Sequence, residues 1–374
     1  MGSSRGGAAT VARSGGRWRG RALRLLLAVA SIQLTMVAQP AWACGCGAAV
    51  PAAGRTLTVG QETSVVRWDG GVEEIDMRLT VSGDAEQAAW IMPVPSRATL
   101  TLGDDALFST LETVVAPVDR VRRHFWPRDG DWPFSGGSSD GGSRNATAPA
   151  PGSGVAVVGR ERLGPFDVAR LAATDSKALG EWLTTNGFHL PDALATALDP
   201  YVRQNWEYVA IRLAPDESGR PLGGNLDPLH LSFASDRLVY PMRLSRLAKV
   251  PQHLRLYVVA AHRMQPRSNI GGAAPKVLYA GTPREPASAV PQLQPIAGKP
   301  AFLTAIDQEF PTPSTIADDH ELRPAGHDTT YQQARYHDEL LKVGGIPAWL
   351  ATVVGVVAVL VGAGLLVARR RRSA

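Results

Sequence analysis

Cysteine is almost absent from this 374-residue chain, and its only two thiols, Cys44 and Cys46, lie two positions apart. Within one monomer they can bridge only to each other, so no disulfide links distant segments. Three interpretations of the pair stay open: a short constitutive disulfide, a redox-active or metal-binding thiol pair, and lipid attachment at Cys44. Stability must therefore come from hydrophobic burial, which a chain of this length can supply.

Local signatures of enzymes are also scarce. The sequence has no Ser-x-x-Lys pair, no His-Glu-x-x-His, no Cys-x-x-Cys and no phosphate-binding loop. Two thiols do not complete a zinc site, so neither a metal nor a cofactor is predicted. A catalytic group assembled from distant residues would escape such a scan, and a role as an envelope hydrolase or thiol-redox enzyme stays as an alternative.

The net positive charge of the chain comes from its two ends. Ten arginines occupy those ends: Arg5, Arg13, Arg17, Arg19, Arg21, Arg24, Arg369, Arg370, Arg371 and Arg372. Subtracting them from the formal net charge of +5 leaves −5 on the rest. A mildly acidic domain has no excess of cations to neutralise phosphates, so nucleic acid is excluded as a partner.

The first 43 residues have the layout of a secretory signal. An arginine-rich segment precedes an apolar stretch from Leu25 to Val37, and the small residues Ala41 and Ala43 occupy the two positions that a signal peptidase reads. We expect cleavage after Ala43, and we expect the following residues to lie outside the cytoplasm.

The other end of the chain predicts a membrane anchor. Residues from Trp349 to Ala368 carry no charge, and roughly 20 helical residues at ~1.5 Å each cross a hydrocarbon core of about 30 Å. We predict a transmembrane helix over 346–368 and a short basic tail over 369–374. The tail arginines, Arg369 to Arg372, are a topology signal that keeps the C-terminus in the cytoplasm. The prediction is a single-pass protein of the cell membrane.

Residues 44–345 are predicted to form a β-rich, largely antiparallel α+β domain with a short two-helix insert. Alternating apolar residues predict strands on both sides of a hairpin turn at Asp69-Gly70-Gly71. Ala88 to Pro95 contains two prolines and predicts an edge strand or a strand end. We expect a flexible Gly/Ser-rich insertion over about 135–154 and an irregular, proline-rich excursion over about 265–300.

Individual segments give more local predictions. Asp104 is expected to cap a helix that ends near Val114. A second helix should begin at Asp175 or Ser176, and a third at Pro191. Together the second and third form the two-helix insert.

Several short motifs occur in one order along the mature chain. They are Cys44-Gly45-Cys46-Gly47, Val65-Val66-Arg67-Trp68-Asp69-Gly70, Ala89-Trp90-Ile91-Met92-Pro93-Val94-Pro95, Glu181-Trp182-Leu183 with Asn186-Gly187-Phe188, Val239-Tyr240-Pro241-Met242-Arg243, and Phe302-Leu303-Thr304. In this combination the chain resembles the bacterial domain-of-unknown-function family 2330. The resemblance implies an envelope protein with a signal and often a C-terminal anchor. It implies no activity and no catalytic residue.

The segment His124–Phe134 concentrates aromatic residues in a stretch without periodicity. Exposed, Trp126 and Trp132 would offer faces to a sugar ring or a protein partner; alternatively, the rings pack over a sheet. Asp129 and Asp131 are weak candidates for binding a divalent cation.

Three histidines, His320, His327 and His337, lie among acidic residues shortly before the anchor. Their spacing fits no standard metal-ligand helix, so a solvated polar segment is expected there.

The sequence as a whole favours a membrane protein whose extracytoplasmic domain binds a partner or organises the envelope, with an envelope protein or glycan as that partner. A subunit of a larger membrane assembly is a further alternative.

Overall fold

The computed structural model describes Gly2 and residues 47–128, 131, 161–163, 166–171, 176–213, 221–284 and 287–373. The strands are β1 (Ala48–Pro51), β2 (Leu57–Trp68), β3 (Val72–Gly83), β4 (Ala88–Val94), β5 (Thr99–Leu102), β6 (Val118–His124), β7 (Glu161–Leu163), β8 (Phe166–Leu171), β9 (Glu207–Leu213), β10 (Gly224–Asn225), β11 (Leu229–Ala234), β12 (Leu238–Tyr240), β13 (Gln252–Ala260), β14 (Met264–Pro266), β15 (Lys276–Gly281), β16 (Phe302–Phe310), β17 (His320–Pro324), β18 (Tyr331–Gln332), β19 (Ala334–Leu340), β20 (Lys342–Val343) and β21 (Ile346–Pro347). The α-helices are α1 (Asp105–Val114), α2 (Ser176–Thr185), α3 (Asp192–Arg203) and α4 (Ala348–Arg372), and the 3₁₀ helices are η1 (Arg243–Leu247), η2 (Ala287–Ala289), η3 (Pro291–Leu293) and η4 (Pro313–Thr315). The predicted β-rich, mostly antiparallel α+β class is confirmed.

The largest sheet has the strand order β18-β15-β16-β13-β2-β3-β11-β5, with β10 paired to β3. Its centre is the predicted hairpin of β2 and β3. The Asp69 carboxylate closes the turn by accepting the N–H groups of Gly71 at 2.9 Å and Val72 at 2.8 Å. Among the described strand pairs, only β13 with β2 and β19 with β6 are parallel.

A second sheet, in the order β1-β4-β9-β8-β7, packs against one face of the large sheet. Strand β4 is therefore not an edge strand, but the alternative prediction of a strand end holds, since β4 ends at Val94, between the two prolines. Its pairing with β1 ends at Ile91, so Pro93 lies in the part of β4 that has only β9 as a neighbour. The proline is tolerated there because no ladder to β1 needs its missing N–H group.

Helices cover the outer faces of both sheets. Helix α1 packs Leu107, Phe108 and Leu111 onto the large sheet, and α2 and α3 pack onto the five-stranded sheet. The Asp104 side chain caps α1, as predicted, by accepting the N–H of Ala106 at 2.8 Å. The result is a layered sandwich with its main core between the two sheets.

The excursion over 265–300 is less irregular than expected. It contains β15, which pairs with β16 on one side and β18 on the other. The apolar run Val277-Leu278-Tyr279-Ala280 is too short to show a period, but it completes the large sheet. The 3₁₀ helices η2 and η3 then cover the face beside α1.

Strands β6 and β19 form a separate two-stranded ribbon, called the stalk below. Almost every stalk residue is exposed on both faces. Opposite charges face each other across it, as in Asp119 with Arg335 and Arg122 with Asp338, and Arg122 Nε lies 2.8 Å from Asp338. The stalk ends beside the short β20–β21 hairpin, which leads directly into α4.

A glycine turn packs closely against the end of β16, and it predicts a difference in stability between two glycine substitutions. Gly272 has φ +73°, and a Cβ there would lie 2.4 Å from Phe310 Cδ1 and 2.8 Å from the Glu309 carbonyl oxygen. Gly298 has φ +76° but open space around it. We expect Gly272→Ala to lower the free energy of unfolding by about 2–3 kcal/mol and Gly298→Ala by about 1 kcal/mol, since only the first adds a clash to the backbone strain. Equal losses in urea denaturation would contradict this difference.

Candidate functional site

An open cleft of about 960 Å³ lies between α1, β15, β18 and the start of the stalk. It is called the arginine cleft below. Its lining residues are Thr110, Thr113, Val114, Val118, Arg120, Tyr279, Ala280, Gly281, Thr282, Arg284, Ala287, Val290, Thr330, Tyr331 and Gln332. The volume lies within the range of about 300–1,000 Å³ typical of small-molecule sites.

The arginine cleft combines two cations with aromatic and hydroxyl groups. Arg120 and Arg284 supply guanidinium groups, and none of the described lining residues is acidic. Burial raises the pKa of Tyr279, while the positive charge of Arg284 opposes that change, so Tyr279 remains a neutral phenol. Guanidinium groups bind carboxylates and phosphates through paired hydrogen bonds. The arginine cleft therefore has the chemistry of an anion site with aromatic walls.

Hydrogen bonds between distant segments fix the walls of the arginine cleft. Val118 N–H donates to the Gln333 carbonyl at 2.9 Å, Gln333 N–H to Leu278 at 2.9 Å, and the Gln332 amide to Ala116 at 2.8 Å. These bonds join the start of the stalk, β18 and β15. These three walls of the cleft are held together by two backbone bonds and one side-chain bond.

A smaller polar cavity of about 580 Å³ lies on the same outer face of the large sheet. It is called the histidine pocket below. Asp76 on β3 is directly opposite His230 on β11, and His230 is opposite Thr101 on β5. His230 Nδ1 lies 3.1 Å from the buried Asp76 carboxylate, which also accepts a bond of 3.3 Å from the Gln292 amide.

In the histidine pocket, His230 and Asp76 are arranged as an acid–base pair, but no serine or cysteine nucleophile lies among the described lining residues. The hydrogen bond to Asp76 raises the pKa of His230 above its ordinary 6.5, and burial opposes that rise. Asp76 thus orients the imidazole as a carboxylate does in a catalytic dyad. The described lining residues, however, include no serine or cysteine, and Thr101 is their one hydroxyl group.

The predicted contact loop is only partly within the described residues. Two of its candidate residues, Asp129 and Trp132, lie outside them. The thiol pair, Cys44 and Cys46, also lies outside the described residues. The Trp126 side chain is 64% exposed and meets the Phe125 ring edge-on at a centroid distance of 5.2 Å.

Asp131, the remaining residue of that loop, is bound within the protein. Its carboxylate lies 2.6 Å from His124 Nε2 and accepts the Arg128 N–H at 2.8 Å. These bonds lower the Asp131 pKa, with the Arg128 N–H as the larger cause. The Asp131 carboxylate therefore holds His124 and Arg128 together within the protein.

The expectation of a solvated histidine segment is wrong for His320. That side chain is buried, and burial lowers its pKa to about 4. Its Nε2 donates to Gln308 Oε1 at 2.8 Å, because the Gln308 amide donates to the carbonyls of Gly271 and Ala273 and leaves its oxygen as the acceptor. His327 and His337 are exposed. Within the described residues, no three His, Cys, Asp or Glu side chains converge on a metal site.

The motif Val239–Arg243 makes buried polar contacts with segments far away in sequence. The Tyr240 hydroxyl bonds to the Glu62 carboxylate and lies 2.5 Å from Ser64 Oγ, between the two sheets. Asp319 accepts the N–H groups of Met242 and Arg243 at 2.8 and 2.9 Å and the Tyr201 hydroxyl at 2.7 Å. This Asp319 junction joins α3, η1 and β17.

Comparison with known proteins establishes the family. Residues 40–323 match the family model described as an uncharacterized protein conserved in bacteria, DUF2330. The chain belongs to this family. No curated protein matches this DUF2330 protein. Among solved structures, the crystal structure of baculovirus P35 aligns with 75% of this chain and 97% of its own, at 10% identity and a TM-score of 0.32, a similarity too low to carry an argument.

Among the described residues of this DUF2330 protein, one helix is long and apolar enough to cross a membrane. It is α4, with a mean hydropathy of 2.7 and a side-chain surface that the rest of the protein leaves uncovered. Both cavities escaped sequence reasoning. Tyr279 and Arg284 lie in the segment interpreted as irregular, and His230 and Asp76 belong to polar strand faces whose pairing the sequence does not specify.

Proposed function

We propose that this DUF2330 protein is a membrane-anchored, extracytoplasmic binding protein whose arginine cleft takes an acidic glycan of the cell envelope. The observation that carries the proposal is the composition of the cleft: two guanidinium groups and two tyrosines, with no carboxylate among the described lining residues. Tyrosine faces pack against sugar rings, and arginines pair with carboxylate or phosphate substituents.

The rest of the chain supports this location. The arginine-rich start and apolar stretch of residues 1–43 have the layout of a signal peptide, and the arginines after α4 favour a cytoplasmic C-terminus. Domain 44–345, which contains the arginine cleft, then lies outside the cytoplasm. The histidine pocket gives no support to a serine or cysteine hydrolase, because its described lining residues pair His230 with neither nucleophile.

The test is calorimetric titration of the full chain in detergent with an oligogalacturonate, a model acidic glycan, and with a neutral oligosaccharide of the same length. We expect Arg284→Ala and Arg120→Ala each to weaken acidic-glycan binding by about 10- to 100-fold, the effect of losing a charge-assisted hydrogen bond. Arg335→Ala is the matched control, because Arg335 is an exposed stalk arginine outside the cleft.

Two results would contradict the proposal. One is acidic-glycan affinity that does not change in both cleft variants. The other is equal affinity for the neutral and acidic oligosaccharides, because the guanidinium groups would then have no part in recognition.

A further inference from the structure

The stalk places an exposed apolar surface beside the first turn of α4. His124, the last residue of β6, accepts the Leu341 N–H at 2.8 Å, and Leu341 in turn accepts the Ala348 N–H at 2.8 Å. Neighbouring strands lie about 4.8 Å apart, so two such steps place the end of β6 within roughly 10 Å of the start of α4. Trp126 follows two residues later.

The β20–β21 hairpin forms the other part of this surface. Val343 pairs with Ile346 across a Gly344-Gly345 turn whose φ values are +61° and +84°. Two successive residues with positive φ make the tight hairpin turn that glycine favours. The turn presents Val343, 66% exposed, and Ile346, 53% exposed, on a hairpin that no described segment covers.

We infer that Trp126, Val343 and Ile346, together called the stalk tip, insert into the interfacial layer of the membrane on the side of the folded domain. The inference rests on the membrane anchoring proposed above. It adds a second contact with lipid, made by the folded chain.

Length matching supports the position of the stalk tip. The uncharged residues from Ala348 to Ala368 match a hydrocarbon core of about 30 Å at ~1.5 Å per residue. Ala348 then lies at its boundary, and Ile346, two residues earlier, is within about 7 Å of it. That distance is the depth of the headgroup layer, where tryptophan rings are enriched.

Continuity with α4 favours lipid over a protein as the occupant of this surface. Lys342 is exposed beside Val343 and can reach lipid phosphates from the same hairpin.

The stalk also sets the distance between the domain and the membrane. At the end of β6 away from the stalk tip, Val118 bonds to Gln333 next to the domain. Seven stalk residues at about 3.3 Å each therefore hold the domain roughly 20 Å above the lipid surface.

The experiment is spin labelling of the full chain reconstituted in phosphatidylcholine–phosphatidylglycerol vesicles, with Cys44→Ser and Cys46→Ser as the background. Labels at Val343→Cys and Ile346→Cys are compared with one at Val121→Cys. Val121, 51% exposed, lies about 10 Å higher on the stalk. We expect the ratio of oxygen to nickel-chelate accessibility at the tip to be several times that at Val121.

A fourth label, at Leu360→Cys in the middle of α4, separates the two proposals. If Leu360 is oxygen-accessible but Val343 and Ile346 resemble Val121, the anchor stands and the stalk-tip inference is overturned. If Leu360 itself is accessible to the nickel chelate, the anchoring fails. Immobile tip labels that neither reagent reaches would indicate a protein partner and would also overturn the inference.

A second measurement avoids cysteine at the hairpin. Brominated lipids quench tryptophan fluorescence by contact, and the Trp126→Phe variant should lose part of the quenched signal seen with the native chain. An unchanged quenched fraction would place Trp126 outside the lipid and overturn its part in the inference.

Discussion

Replacing Asp319 with alanine is expected to lower the free energy of unfolding by about 4 kcal/mol, because three donors, two buried and one partly buried, would lose their acceptor together. Those donors are the Tyr201 hydroxyl and the N–H groups of Met242 and Arg243. Burial raises the pKa of Asp319, and the bond from Tyr201 is the largest opposing influence. Because Asp319 is buried, water has little access to its carboxylate and cannot easily replace these three hydrogen bonds.

Urea denaturation of the Asp319 variants measures this effect. Asp319→Asn keeps one carbonyl oxygen as acceptor, so it should lose about half as much stability as Asp319→Ala. Asp318→Ala is the neighbouring control: its mostly exposed carboxylate pairs with Arg243 and accepts the Asp319 N–H at 2.8 Å, so its loss should cost only about 1 kcal/mol. Similar losses for Asp318→Ala and Asp319→Ala would show that the junction is not the source of stability.

Acidification is expected to destabilise the fold through His320 by about 3 kcal/mol between pH 6.5 and pH 4. In the folded protein, burial lowers the pKa of His320 from 6.5 to about 4. Between these values the unfolded chain holds a proton on this residue that the folded chain does not. Stability from His320 is therefore complete above pH 6.5 and decreases as the pH falls toward 4.

The measurement is the pH dependence of unfolding for the native chain and for His320→Gln. Glutamine can still donate to Gln308 but does not titrate, so the stability of the variant should depend less on pH across this window. The control is His327→Gln, which changes an exposed histidine. Parallel pH profiles for the native chain and His320→Gln would disprove the account of a buried neutral imidazole.

Local sequence patterns predicted the turns, caps and helices that depend only on residues close together in the sequence. Asp69-Gly70-Gly71 predicted its hairpin because a carboxylate and two glycines within three positions suffice to close the turn. The cap at Asp104 followed for the same reason. The apolar stripe after Pro191 predicted α3, since periodicity along one helix needs no information from elsewhere.

Long-range pairing explains what the sequence could not show. Val239–Arg243 was visible as a motif, but its partners Glu62 and Asp319 are distant in sequence. The same limit applied to β4, because whether Pro93 lacks a neighbour on one side depends on where β1 ends. The arginine cleft escaped for this reason too, since it forms where the stalk, α1 and β15 meet.

The most direct test of the proposed function is photo-crosslinking from the arginine cleft in the native host. A photoreactive phenylalanine analogue, which keeps an aromatic ring, replaces Tyr331, a cleft residue 46% exposed, or Tyr336, a stalk residue 57% exposed that does not line the cleft. Mass spectrometry then identifies the adducts. The account predicts an acidic-glycan adduct from position 331 that is absent from position 336 and is diminished by Arg284→Ala. Identical adducts from both positions, or a ligand without negative charge at position 331, would contradict it.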